Sequence, residues 1–294
     1  ILNGEDVTAE VAWLYDKPAV GTMVGEVFTP TGSVGGLGTL QALLGNATGY
    51  TTVAVSVRRT VNSAGLSAQD QALFDNPSGV DSALVLVYPY DQTVLPLRVL
   101  SPEFQWNGGS PGDVYRLRLS SSYMQYTEYF AAPSSHIVPQ LDWENIELSG
   151  AGPVTDPLGV EFSRKSGSQA YAPVSIQLRI AQGFLYGSVY YWQLPDACGG
   201  SPEGKIVRIA PSSETTEEFF SYDSGGPQGG CWGCHSVSRD GRKMAAGFYD
   251  ASANPVLYTL DLSATPVTWG SLNPSNQAGF VAYGDGGFSL TAVT

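Results

Sequence analysis

The segment with the clearest chemistry is Cys231-Trp232-Gly233-Cys234-His235. Two thiols three positions apart, followed directly by an imidazole, form the covalent attachment signature of a c-type haem. The thiols add to two vinyl groups on one edge of the porphyrin, and the histidine that follows ligates the iron. The spacing therefore predicts one covalent haem c, anchored by Cys231 and Cys234, with His235 as an axial ligand. Trp232, inside the motif, is expected to contact the ring.

Two other uses of the same residues stay open. A disulfide between Cys231 and Cys234 would make the motif a redox-active or structural turn. A zinc site built from Cys198, Cys231, Cys234 and His235 has the right number of ligands. The adjacent Cys234 and His235 would reach one tetrahedral ion only with difficulty, so the haem interpretation is preferred.

The second axial ligand is a separate question, because the chain has two histidines only. His136 lies in a segment between Pro133 and Pro139, and bis-histidine ligation would imply a low potential and electron transfer. Met244, nine residues beyond His235, would raise the potential, although its place in an apolar strand favours a core-filling role. An open sixth position would instead suit a haem enzyme or a sensor.

Composition places the chain outside the cytosol. Three cysteines among 294 residues, with 35 Gly and 16 Tyr, are typical of secreted all-β proteins with many turns. Haem attachment of this kind takes place on the exported side of a bacterial membrane. We therefore expect a periplasmic, surface or secreted protein.

Charge limits the partners that this chain can have. A net charge of −13 and a pI of about 4.4 argue against nucleic acid as a partner. No run reaches the roughly 20 apolar residues of a membrane helix, so no direct membrane span is expected. The sequence also lacks the His-Glu-x-x-His motif of metal-dependent hydrolases.

Two-residue periodicity predicts an all-β fold in three segments, and few helices. Residues 1–81 are expected to form a small β module and a linker, with strands at Val24–Thr29 and Tyr50–Thr60. Short helical turns are predicted at Leu40–Leu44 and, with Ser67 as N-cap, at Ala68–Phe74.

The second segment, residues 82–222, contains LVYPYDQTVLP, PEFQW and VYRLRLS, followed by GSVYYW and GKIVRI. This pattern resembles fibronectin-type or immunoglobulin-like sandwich domains of large secreted bacterial proteins. The resemblance implies an architecture only, with Trp106 and Trp192 expected in the core.

The third segment, residues 223–294, begins with the haem motif and continues into an Asp240-Gly241 turn and two apolar strands. It is similar to the Ser-Pro-Asp-Gly type of TolB-like β-propeller repeat, with Arg239 where that family usually has Pro. A second copy begins near Ala282. Because so few blades cannot bury their own faces, we expect either a longer polypeptide, which is the preferred interpretation, or completion by neighbouring subunits.

Together these features resemble a secreted bacterial protein with β-sandwich, haem and propeller segments. They predict a monohaem c-type cytochrome that transfers electrons to a redox partner or to other haem subunits, within a larger assembly. The alternative is a structural or adhesive surface protein in which the cysteine motif is a staple. A haem enzyme or sensor is a weaker alternative.

Overall fold

The chain is mostly β, as predicted. The computed structural model describes residues 4–150, 155–184, 186–193, 204–210, 213, 215–220, 231–249, 255–271, 280–283 and 289–292. The chain divides into two compact units, Ile1–Leu185 and Tyr186–Thr294. The three segments expected from composition stay a prediction.

The first unit contains fifteen strands and two α-helices in its described part. A 3₁₀ turn spans Thr8–Glu10. The elements that follow are β1 (Ala12–Tyr15), β2 (Gly21–Val24), β3 (Val27–Pro30), β4 (Gly36–Leu44), β5 (Ala47–Val55), β6 (Val57–Asn62), α1 (Ala68–Leu73), β7 (Val85–Tyr88), β8 (Val94–Leu97), β9 (Glu103–Asn107), β10 (Val114–Ser120), β11 (Met124–Phe130), β12 (Ser135–Ile137), α2 (Gln140–Leu148), β13 (Leu158–Ser166), β14 (Gln169–Ala170) and β15 (Val174–Phe184).

A seven-stranded sheet is the centre of the first unit. Its order is β6-β11-β10-β13-β15-β8, with β14 paired to β13. Strand β6 runs parallel to β11, and β8 runs parallel to β15, while the other pairs are antiparallel. Alternation in β10 puts Leu117 and Leu119 on one face, where both are fully buried. The opposite face includes Arg116, which forms an ion pair with Asp75 at 2.7 Å.

A smaller sheet, of order β12-β9-β7, shares the core with the large sheet. Trp106 of β9 lies with its ring centroid 4.7 Å from that of Tyr115 and 4.9 Å from that of Phe162. Helix α2 adds Trp143 and Ile146 to the same core. The prediction that Trp106 is a core residue is therefore confirmed.

The amino-terminal part forms a sheet of order β1-β4-β5 and the hairpin β2-β3. The helical turn predicted at Leu40–Leu44 is wrong, because these residues belong to β4. The strand predicted at Val24–Thr29 is also wrong, since it straddles the turn of the β2-β3 hairpin. Helix α1 is confirmed, and the Ser67 hydroxyl oxygen accepts the Asp70 N–H at 3.1 Å.

The second unit contains nine strands in its described part. They are β16 (Val189–Gln193), β17 (Lys205–Ile209), β18 (Glu217–Phe220), β19 (Cys231–Val237), β20 (Lys243–Tyr249), β21 (Pro255–Asp261), β22 (Thr268–Ser271), β23 (Phe280–Tyr283) and β24 (Ser289–Ala292). They form an antiparallel sheet β16-β17-β18, a four-stranded antiparallel meander β19-β20-β21-β22 and a hairpin β23-β24.

One apolar core joins the first two sheets of the second unit. Ile206 and Phe220 come from the three-stranded sheet, and Met244, Phe248 and Leu260 come from the meander. Trp192 was expected in the core, but its side chain is 37% exposed, so that prediction is wrong. Neither helix in the described part of the chain is long and apolar enough to cross a membrane.

Candidate haem site

The Cys-x-x-Cys-His segment begins strand β19, which is an edge strand of the meander. Cys231 pairs with Tyr249 and Trp232 with Phe248, whereas His235 pairs with Ala246. The residues at 233 and 234 therefore stand opposite a single residue of β20, which defines a β-bulge.

The bulge changes which positions of the motif share a face. In an unbroken strand, positions three apart fall on opposite faces, and one extra residue between them returns them to the same face. By the register of the ladder, strand positions 231 and 234 are thus assigned to one face of the meander, and position 235 is assigned to the other. The side chains of Cys231, Trp232 and Cys234 lie outside the described part of the structure.

His235 is half-buried and has one polar contact in the described structure. Its Nε2 lies 3.1 Å from the carbonyl oxygen of Tyr190 on β16. Because a carbonyl oxygen only accepts, this ring nitrogen carries a proton. A neutral imidazole then presents the lone pair of its other nitrogen. Histidines that ligate metals typically donate their second N–H to such a carbonyl, and this imidazole makes that contact, but it lies on the opposite face of the meander from positions 231 and 234.

Met244 lies on the same face of the meander as His235. It pairs with Val237 in the ladder, and its side chain is fully buried between the two sheets. This environment fits the core-filling role that the sequence favoured. Its role as a second axial ligand stays a prediction.

His136, the other candidate for the second axial position, belongs to the first unit. It lies on β12, and its Nε2 is 3.0 Å from Oε2 of Glu128, although the ring N–H is not aligned for a linear hydrogen bond. Its ring stacks on Phe130 at a centroid distance of 3.7 Å. The Tyr126 hydroxyl donates to the same Glu128 oxygen at 2.8 Å. A buried carboxylate and an aromatic ring of the first unit therefore contact this histidine.

The zinc alternative depends on residues that the structure covers only in part. Cys198 lies outside the described residues. Among those that are described, no three His, Cys, Asp or Glu side chains cluster closely enough to hold a metal ion. The zinc site therefore stays an alternative to the haem.

The turn that follows the motif has the predicted form. Gly241 has a φ of 70°, which L side chains rarely adopt. Asp240 accepts the Ser238 hydroxyl at 2.7 Å and the Arg242 N–H at 3.1 Å. These hydrogen bonds, that from Ser238 above all, lower the pKa of the Asp240 carboxyl. The turn fixes the connection between the motif strand and β20.

Comparisons with known proteins identify no relative. No protein-family model matches the chain, and no curated protein matches it. Among solved structures, the chain is similar to the extracellular cadherin domains 1–5 of protocadherin gamma B2, at 11% identity and a TM-score of 0.17. That match covers 91% of this chain and 52% of the other, so the chain spans about half of that structure. A likeness this weak indicates neither a shared fold nor a shared function.

Two features of the histidine environments were not predicted from the sequence. Tyr190 lies in a strand that was recognised, but nothing in the sequence signals that its carbonyl meets His235, 45 residues later. Glu128 lies in β11, and its contacts with Tyr126 and His136 also depend on tertiary packing. Alternating strand patterns identify faces, and they do not identify which polar groups meet across them.

Proposed function

We propose that residues 231–235 attach one haem c covalently and that the protein transfers electrons on the exported side of a bacterial membrane. The observation that supports this proposal most strongly is the Cys-x-x-Cys-His run with a histidine whose ring N–H is held by a backbone carbonyl. When bound, a haem supplies reversible one-electron exchange at its iron.

Each residue of the site has a distinct role in this proposal. Cys231 and Cys234 are the thioether anchors, and the bulge between them supports a common face for both positions. His235 is the proposed axial ligand; because position 235 lies on the opposite face of the meander from positions 231 and 234, haem attachment requires the start of β19 to leave its present strand geometry. Trp232 is the candidate ring contact. The second axial position stays with His136 or, less favoured, Met244.

The architecture proposed from the sequence fits this role. We assign the seven-stranded sheet and the β12-β9-β7 sheet of the first unit to a sandwich-like module, and the β19–β22 meander to a propeller-like blade, since blades are four-stranded antiparallel sheets. The hairpin β23-β24 would then begin the next blade. Such platforms present a redox group to partners, which we propose are redox proteins or further haem subunits.

A haem-staining experiment tests the proposal directly. The full chain is produced with export in a host that attaches c-type haem, and absorption spectra are taken oxidised and dithionite-reduced. We expect a sharp reduced α band and a haem stain that stays with the chain on a denaturing gel. Replacing both motif cysteines, as Cys231→Ser with Cys234→Ser, should abolish both signals, while Cys198→Ser should leave them unchanged. A featureless wild-type spectrum would refute the proposal.

The ligand role of His235 has its own readout. His235→Ala should keep the thioether links, and hence the stain, but change the spectrum of the oxidised and reduced forms. Adding cyanide or carbon monoxide to the wild-type protein then tests whether the sixth position of the iron is open to an external ligand. Unchanged spectra with both ligands would argue for two protein ligands, and altered spectra would favour the haem enzyme or sensor.

A second candidate function has a specific observation in its favour. The bulge that gives positions 231 and 234 one face also suits a short disulfide staple in a structural or adhesive surface protein. Intact mass separates the two functions: a staple lowers the mass by two hydrogens, whereas attachment adds one haem. A mass that matches the unmodified reduced chain would support neither.

A further inference from the structure

Strand β5 forms one edge of the β1-β4-β5 sheet, and in the described structure no strand pairs with its outer side. A two-residue turn, Gly45–Asn46, joins β4 to β5, and Leu44 pairs with Ala47. Gly45 has a φ of 58°, as the first position of a type II′ turn requires. Such a turn makes Leu44 and Ala47 a hydrogen-bonded pair.

The turn fixes which backbone groups of β5 point outward. Hydrogen-bonded and non-hydrogen-bonded pairs alternate along an antiparallel ladder. Starting from Ala47, the odd-numbered residues of β5 bond to β4, and the even-numbered residues point their N–H and C=O groups away from it. Thr39, which stands opposite Thr52, agrees with this pattern because its backbone groups bond on the side of β1. Its carbonyl oxygen accepts the Asp16 N–H, and its own N–H donates to the Asp16 carboxylate. The outward residues are Thr48, Tyr50, Thr52 and Ala54.

This edge lacks the usual protection against pairing. Exposed edge strands are normally protected by Lys, Pro, short length or bulges. β5 is nine residues long, pairs without a register shift and contains neither Pro nor a charged residue. Residues 27–57 have no charged side chain at all, in a chain whose net charge is −13. Two copies therefore meet less electrostatic repulsion at this edge than at the charged remainder of their surface.

We propose that two copies of the chain join through their β5 edges as an antiparallel, two-fold symmetric pair centred on Thr51. Centring on Thr51 sets Tyr50 opposite Thr52 of the partner subunit, and Thr48 opposite Ala54 of the partner subunit. Every outward N–H and C=O from 48 to 54 then gains a partner, because each such pair joins two outward-pointing residues. Thr51 meets Thr51 of the partner subunit as a non-hydrogen-bonded pair on the axis.

The side chains fit this pairing. Thr, Tyr and Val favour strands, and aromatic–β-branched pairs across strands are stabilising. Tyr50 is 69% exposed, so its ring is available to cover Thr52 of the partner subunit. The association through β5 stops at two copies, because both copies use the same edge and no unpaired β5 edge remains at the junction. The result is one continuous six-stranded sheet, independent of whether a haem is bound.

Light scattering of the full chain after size exclusion tests the association. We expect wild type to approach twice the single-chain mass of 31.1 kDa as its concentration rises. Thr52→Lys adds a charge on the edge without touching a bond to β4, and should give the single-chain mass. Thr29→Lys, on the exposed side of β3, adds the same charge elsewhere and should stay dimeric. Circular dichroism confirms that each variant is folded.

Cysteine cross-linking tests the register. Non-hydrogen-bonded partners have Cα atoms about 4.5 Å apart, within disulfide reach. Thr51→Cys should therefore form a covalent dimer under oxidation. Thr48→Cys should not, because in this register its two copies lie about 20 Å apart, six residues along the strand. A wild type that stays monomeric, a dimer that survives Thr52→Lys, growth into larger species, or cross-linking at 48 rather than 51 would each overturn the proposal.

Discussion

Glu147→Gln should stabilise the first unit above pH 7 and leave its stability unchanged near pH 4. Glu147 lies in α2 and is 2% exposed. Its Oε2 accepts the backbone N–H of Arg98 at 3.1 Å, in a residue whose φ is 65°. Burial raises the pKa of this carboxyl from 4.5 to about 7, even though the Arg98 N–H opposes the rise. Glutamine keeps the shape and an accepting oxygen without the charge.

The sign and size follow from proton linkage. Below pH 4.5 the carboxyl is protonated in the folded and the unfolded chain, and ionisation costs nothing. Between pH 4.5 and about 7 only the unfolded chain ionises, so wild type loses stability as the pH rises. Each pKa unit corresponds to about 1.4 kcal/mol, which gives an advantage for the variant of about 3 kcal/mol at pH 8.

Urea denaturation from pH 4 to 8, followed by tryptophan fluorescence, measures the difference in free energy of unfolding between variant and wild type. Taking the difference cancels the titration of all other groups. Glu26→Gln is the control, because it removes one charge from an exposed position of the same unit that does not contribute to the Glu147 shift. Its difference from wild type should stay within about 0.5 kcal/mol. A Glu147→Gln difference that does not grow with pH would refute the reasoning.

Two further substitutions test packing in each unit. Gly35→Ala should destabilise the first unit by about 1–3 kcal/mol in thermal denaturation, because the added Cβ would clash with the Tyr123 carbonyl oxygen. Gly49→Ala is the control, because its Cβ would meet nothing closer than 4.0 Å. Met244→Ala should cost the second unit about 2–5 kcal/mol in urea denaturation, whereas Met244→Leu should cost less than about 1.5 kcal/mol. An unchanged midpoint for Met244→Ala would contradict its place in the core.

The strands that the sequence identified most clearly are those with strict alternation. β10 was identified correctly because Leu117 and Leu119 alternate with polar neighbours at a two-residue period. Leu40–Leu44 was misread because its run of apolar residues has no clear period. Helix α2 was missed because its buried positions include polar residues such as Asp142 and Glu147, so its inner side does not look apolar.

The candidate site shows the same limit. Its cysteines and histidine are contiguous, so their spacing alone indicates a chemistry. The Tyr190 carbonyl, the bulge between positions 232 and 235 and the burial of Met244 all depend on which strands become neighbours. Strand neighbours are set by the global packing of apolar faces, which no local window of sequence contains.

The parallel pairs of the large sheet have a consequence for how the chain folds as it is synthesised. Strand β6 can pair only after β11 has been synthesised, because Val57 lies opposite Met124. Strand β8 likewise can pair only after β15 has been synthesised, because Val94 lies opposite Arg179. The β4-β5 hairpin, in contrast, closes across two residues and can form as soon as it emerges. A nascent chain thus displays its uncharged hairpin long before the large sheet can be completed. During that interval the chain depends on its surroundings, and on the speed of its own synthesis, to keep that hairpin from pairing with the wrong strand.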